Sequence, residues 1–185
     1  MSYEKLEEKQ ISREKIYDGK VLKVVKDTVV LPNGEKTVRE FCLHNGAVCV
    51  IPITDRGEVV MERQYRYAHG RVFYEIPAGK LDEPGENPLS AAKRELREET
   101  GAVAEKWTFL GELITSPALV GEKIFMYLAE GLNFGDRELD EDEFLTVEKE
   151  NLSSLYEKVM AGDIADAKTQ IAIMKAAALR PEYLN

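Results

Sequence analysis

The sequence predicts an α/β (α+β) fold: a mixed β-sheet carrying helices, with a small β-appendage at the N-terminus. Three observations predict it. Runs of β-branched residues recur along most of the chain and are bounded by turn residues. One well-delimited helical pattern interrupts them after residue 87. Two more helical patterns close the chain.

The elements follow in order. Residues 1–15 alternate in charge and read as a short solvated lead-in. Residues 20–31 set β-branched residues between polar ones, as a strand does. Pro32-Asn33-Gly34 follows, and Asn-Gly between two such runs signals a hairpin, with the return strand over 36–44. A second strand pair over 47–54 and 58–65 is joined at Asp55-Arg56-Gly57. Residues 72–76 read as another short strand, broken by Pro77-Ala78-Gly79. Asn87 then supplies an N-cap and Pro88 the first helical residue. Leu89, Ala92 and Leu96 form that helix's apolar stripe, and Gly101 ends it. Strands are expected over 107–113 and 124–129. An acidic stretch, 136–143, precedes a short strand over 144–147. Helices are expected over 152–160 and 164–179, with Ile164, Ile171, Met174 and Ala178 as the core face of the last. There is no internal repeat or low-complexity tract, and residues 1–44 separate as the appendage from a main domain over 45–185.

Composition excludes several classes. With 25 Lys plus Arg against 34 Asp plus Glu, the net charge of -9 offers no attraction for nucleic acid or an anionic membrane. A phosphate-bearing substrate would therefore need positive charge from elsewhere. Cys42 and Cys49 cannot build a disulfide framework, match no zinc spacing and read as reduced thiols. With His44 and His69 as the sole histidines, a multi-histidine metal site is excluded. The longest apolar run, 47–53, is far too short to span a membrane. Residues 1–10 are charged and lack the apolar region of a signal peptide, so a cytoplasmic location is expected.

The informative segment is Arg94-Glu95-Leu96-Arg97-Glu98-Glu99-Thr100-Gly101. Glu95, Glu98 and Glu99 stand at i, i+3 and i+4, on one helix face. Like charges at that spacing destabilise a bare helix by a few tenths of a kcal/mol. A cation between them reverses that cost, and hard divalent cations prefer oxygen ligands. The spacing suits Mg²⁺, with Mn²⁺ as a substitute, in phosphate chemistry. The alternative is a solvated acidic face neutralised by Arg94 and Arg97.

Gly79, Glu86, Arg94-Glu95-Leu96, Glu98-Glu99 and Gly101 together resemble the Nudix box, G-x5-E-x7-R-E-U-x-E-E-x-G-U, where U is a bulky aliphatic residue. The portion from Glu86 to Gly101 matches in full. Six residues rather than five separate Gly79 from Glu86, and the last U position holds the small Ala102. The insertion lies before the helix and leaves the helical carboxylates in register. Gln64-Tyr65-Arg66, Glu75-Ile76-Pro77-Ala78-Gly79-Lys80, Thr115-Ser116-Pro117 and Asp166-Ala167-Lys168-Thr169 extend the likeness to the ADP-ribose pyrophosphatase branch. Ala118 stands where that branch usually has glycine.

The resemblance implies an α/β/α Nudix sandwich and Mg²⁺-dependent hydrolysis of ADP-ribose to AMP and ribose 5-phosphate. Alternatives are hydrolysis of other nucleoside diphosphate sugars, or a sensor that binds ADP-ribose without cleaving it. It implies that Glu95, Glu98, Glu99 and the Ala78 carbonyl bind the metal, with Glu98 counted among the catalytic carboxylates, and that Glu86 and Arg94 brace the site from behind. It implies a general base on the acidic loop, either Glu143 or Glu141. Arg66, Arg39, Glu75 and Glu122 are the implied substrate contacts, and Tyr17 is the candidate for stacking on adenine or for simple hairpin packing. A homodimer is implied as well, in keeping with the need of Val21, Val24, Val29 and Val30 for burial.

Overall fold

Two units divide the chain in the computed structural model, which describes residues 3–139 and 143–184. One comprises Met1–Asn45 and Ile114–Lys123, and the other comprises Gly46–Leu113 and Ile124–Asn185.

The first unit is a three-stranded antiparallel sheet of β1 (Lys9–Asp18), β2 (Lys23–Val30) and β3 (Lys36–Leu43), in that order. β1 departs from the expected solvated lead-in. Every residue of it is exposed, so it lacks the apolar alternation that marks a strand in sequence. It is held instead by its ladder to β2 and by Arg13, whose Nε and Nη2 each donate to Asp27 at 2.7 Å. The β2–β3 hairpin forms where Asn33-Gly34 predicts it. Gly34 adopts φ +90°, and its N–H donates to the Leu31 carbonyl at 2.9 Å. Of the four valines expected to need a partner, Val29 is already buried within this chain while Val21 is 65% exposed. The Ile114–Lys123 segment joins β3 through the Cys42 N–H to Leu119 at 2.8 Å and the Gly121 N–H to Cys42 at 2.9 Å.

The second unit is built on a seven-stranded mixed sheet. β4 (Ala47–Ile53), β5 (Glu58–Arg66), β8 (Ala102–Leu113), β9 (Ile124–Phe134) and β10 (Leu145–Asn151) take the order β10-β5-β4-β9-β8. β6 (Arg71–Glu75) pairs with β5, and β7 (Ala78–Lys80) pairs with β4. β4 and β9 run parallel. Both faces are covered. Val48 and Val50 pack with Leu96 of α1 (Pro88–Thr100), whereas Cys49 and Ile51 pack with Leu155 of α2 (Leu152–Ala161) and Ile173 of α3 (Ala167–Leu179). Burial on both faces explains the unbroken apolar run of β4. The result is the expected α/β/α sandwich.

Two details position the site. β4 and β5 pair at Ile53 and Val59 but not as the long hairpin that the sequence suggests. β7 takes the other end of β4, opposite residues 47–49, so Pro77-Ala78-Gly79 does not simply break a strand but begins a new one. The helices also adjust. α1 starts and stops as predicted, with Asn87 Oδ1 accepting the Ser90 N–H at 3.0 Å. Gly101 caps its C-terminus at φ +71°, where a Cβ would stand 2.3 Å from the Gly135 carbonyl oxygen. Of the core face expected for the last helix, Ile164 is buried just before α3 and Ile171 packs against the core, but Met174 and Ala178 face outward. Ala172, Ile173, Ala176 and Ala177 are buried, while Met174 is 48% exposed. Alanines carry the close packing there, and the larger residues misled the periodicity. Among the described residues no helix is long and apolar enough to cross a membrane.

Candidate active site

α1 turns its polar edge toward β7. Glu95 and Glu99 are buried, at 8% and 3% exposure, and Glu98 is half-buried. Arg94 sits among them: its Nη1 donates to Glu95 Oε1 at 2.8 Å and to Glu98 Oε2 at 3.1 Å. Its Nη2 reaches Asp82 at 3.3 Å and Glu86 at 3.7 Å, and Glu86 Oε2 accepts the Asp82 N–H at 2.7 Å. Arg94 and Glu86 thus tie the inserted loop to the helix, and the extra residue does not displace the carboxylates.

β7 supplies backbone groups. Ladder bonds join the Val50 N–H to Pro77 at 2.9 Å and the Leu81 N–H to Gly46 at 3.0 Å. The alternation of an antiparallel pair then turns both backbone groups of Ala78 away from β4. Its N–H donates to Glu99 Oε2 at 3.0 Å, and its carbonyl lies along the same edge. At Gly79 a Cβ would stand 1.9 Å from the Glu95 carboxyl carbon, so only a residue without a side chain lets that carboxylate lie against β7. Gly79→Ala should expel Glu95 and lower turnover roughly tenfold or more, while thermal unfolding changes little. Unchanged kinetics in the variant would show that the Glu95 position is immaterial.

Burial pushes the Glu95 carboxyl up to about 7 against the opposing pull of Arg94. Burial also raises Glu99 well above the carboxylate range, with Glu62, Glu95 and Glu143 adding to it. Among the described residues no three acidic, histidine or cysteine side chains already stand around one point. The carboxylates are held by Arg94 and by the Ala78 N–H instead. The all-oxygen donor set still fits a hard divalent cation. Glu95, Glu98, Glu99 and the Ala78 carbonyl are the groups that could hold it.

β5 and β6 contribute an ionic cluster that the sequence only partly reveals. Glu75 is buried and accepts from Arg66 Nε at 2.8 Å and Nη2 at 3.0 Å, and also from Lys168 Nζ. Burial pushes Glu75 up, but these two cations outweigh it and hold the carboxyl below its ordinary range. Glu75 therefore orients Arg66 through Nε and Nη2, leaving its Nη1 donors unused by Glu75 on a half-exposed side chain. Lys168 is fixed in turn by Asp166 at 3.0 Å, the N-cap of α3.

Beside Glu75, in register across the strands, stands Glu62. It belongs to no motif in the sequence. It is 3% exposed, and its Oε1 accepts no hydrogen bond from the described residues. Burial, with Glu75 next in weight, pushes its carboxyl up to about 8. The signal that could have revealed it was a charged residue on a strand whose neighbours Val59, Val60 and Met61 are all buried.

Of the two candidate bases, Glu141 lies outside the described residues. Glu143 is half-buried just before β10, and its charge reaches Glu62, Glu95 and Glu99, raising all three carboxyls. The remaining candidates belong to the first unit. Arg39 pairs with Glu8 at 2.6 Å, and Glu122 accepts from Thr115 at 3.0 Å with His44 at 3.6 Å. Tyr17 is 57% exposed, its ring standing where a Cβ on Gly19 would fall.

Comparison with known proteins places this geometry. A model of the NUDIX domain matches residues 43–168. An ADP-ribose pyrophosphatase of Bacillus subtilis is 45% identical over 170 residues, covering 91% of each chain. A methanol dehydrogenase activator of Bacillus methanolicus is 43% identical over 169 residues, covering 90% of this chain and 91% of its own. A crystal structure of an ADP compounds hydrolase superposes with a TM-score of 0.84 at 26% identity, covering 96% of both chains. Nudix hydrolases generally use divalent metals, which agrees with the donor set on α1 and β7. A box helix with its carboxylates turned inward, matched across most of the chain, makes this protein a member of the Nudix hydrolase family.

Proposed function

We propose that the chain hydrolyses the pyrophosphate bond of ADP-ribose, giving AMP and ribose 5-phosphate, with Mg²⁺ as the physiological cation and Mn²⁺ as a substitute. The observation that carries this is the convergence of Glu95, Glu99 and Glu143 with the Arg66–Glu75 pair in one unit. Similarity to the Bacillus subtilis pyrophosphatase over 91% of the chain supports the substrate.

Glu95, Glu98, Glu99 and the Ala78 carbonyl would hold the cation, which when bound would supply positive charge to offset the pyrophosphate and polarise its phosphorus. The protein does the rest. Glu143 accepts the proton of the attacking water from a position beside the buried carboxylates. Arg66, oriented by Glu75, donates to a phosphate oxygen through its free Nη1 hydrogens. Arg94 and Glu86 keep the loop and helix in register so that the carboxylates stay aimed.

The test is a substrate panel. Pure protein with Mg²⁺ should convert ADP-ribose to AMP faster than it cleaves GDP-mannose or other nucleoside diphosphate sugars. Rapid cleavage of one of those with no AMP from ADP-ribose at micromolar enzyme would remove the substrate assignment.

A further inference from the structure

A buried carboxylate with an unsatisfied oxygen is costly: an uncompensated polar group loses its water and gains nothing in return. Glu62 is such a group. Its cross-strand neighbour is another carboxylate, Glu75. The two nearest cations do not serve it directly. Arg66 donates to Glu75, and Lys168 donates to Glu75 and Asp166. Strand alternation also fixes its direction. Met61 belongs to the α2–α3 cluster, so Glu62 points to the opposite face of the sheet, the one α1 covers. Glu99 comes to that face from α1, its Oε2 accepting the Ala78 N–H at 3.0 Å, and Glu62 is the largest charged contribution that raises its carboxyl.

Two facing buried carboxylates repel unless a positive charge lies between them. We propose that Glu62 is a further oxygen ligand of the divalent-cation site, reaching the cation from β5 while Glu99 reaches it from α1. The inference rests on the reading of Glu95, Glu98 and Glu99 as a cation site. It adds a donor that the box motif does not contain.

Mn²⁺ titration followed by calorimetry and electron paramagnetic resonance, together with thermal unfolding with and without Mn²⁺, tests it. The variants are Glu62→Gln, which keeps the shape, and Glu62→Val, which suits a buried strand. Both should weaken Mn²⁺ binding by about tenfold or more. Glu62→Val should also raise the metal-free melting temperature, because a buried charge is gone, and should shrink the upshift that Mn²⁺ produces. Glu99→Gln serves as the control. Wild-type Mn²⁺ affinity in both Glu62 variants, with binding lost in Glu99→Gln, would overturn the assignment of Glu62 and leave the carboxylate site standing. A lowered metal-free melting temperature with unchanged Mn²⁺ affinity would overturn it too, showing that Glu62 only complements Lys168 and Arg66. If the unmodified protein binds no Mn²⁺, the underlying site reading fails and this ligand assignment with it. Should Glu62→Val fail to fold, Glu62→Gln decides the matter by affinity alone.

Discussion

Glu99→Gln is expected to reduce turnover of the pyrophosphate substrate by roughly a hundredfold or more, since even residues that only support a metal ligand are worth ten- to a hundredfold. The fold should survive. The glutamine oxygen can still accept the Ala78 N–H, and the amide removes one of four mutually repelling charges that include Glu62, Glu95 and Glu143. In the presence of a chelator the variant should therefore melt at or a few degrees above the parent temperature; about 1 kcal/mol corresponds to roughly 2–4 °C for a chain of this size. Steady-state kinetics and calorimetric Mn²⁺ titration read the two effects separately. Retained turnover with retained metal affinity would mean that the cation sits elsewhere.

Glu143→Gln should leave cation affinity near the parent value and lower the rate by about 10²–10⁴, the range for a lost general base. The argument is positional. Glu143 enters from the loop before β10, outside the helix, yet its charge bears on all three buried carboxylates that line the site. A side chain so placed can reach a water near the cation. A variant with a full parental rate would shift the assignment to Glu141, and the matching Glu141→Gln variant would then have to show the loss.

Much of this was legible from sequence because it is local. A helix with Asn87 and Pro88 at its start and Gly101 at its end declares its own boundaries, and the spacing of Glu95, Glu98 and Glu99 follows from helical geometry. The Asn33-Gly34 hairpin is legible for the same reason. What sequence hides is non-local. β1 has no apolar face to advertise it and exists through pairing and the Arg13–Asp27 bridge. The splitting of β4 between β5 and β7 is decided by the sheet as a whole. Glu62 reads as an ordinary polar residue on a strand until β6 brings Glu75 beside it and the fold buries it with an oxygen unsatisfied. Glu75, a substrate contact by resemblance, also holds Arg66 and Lys168, a pairing between distant stretches that the sequence does not display.

The glycine that ends α1 does more than end it. Because Gly101 has no side chain, Gly135 can lie against it and donate its N–H to the Gly101 carbonyl at 2.8 Å. The Glu138 N–H then donates to the Glu98 carbonyl at 3.1 Å, and Arg97 pairs with the Glu138 carboxylate at 2.8 Å. The acidic segment is thus tethered at its root to the helix that carries the carboxylates, while β10 anchors its far end. Glu143 thus follows a segment whose first residues are fastened to the carboxylate-bearing helix. Adding a residue or two after Glu138 would therefore free Glu143 from that register while leaving Glu95, Glu98 and Glu99 untouched.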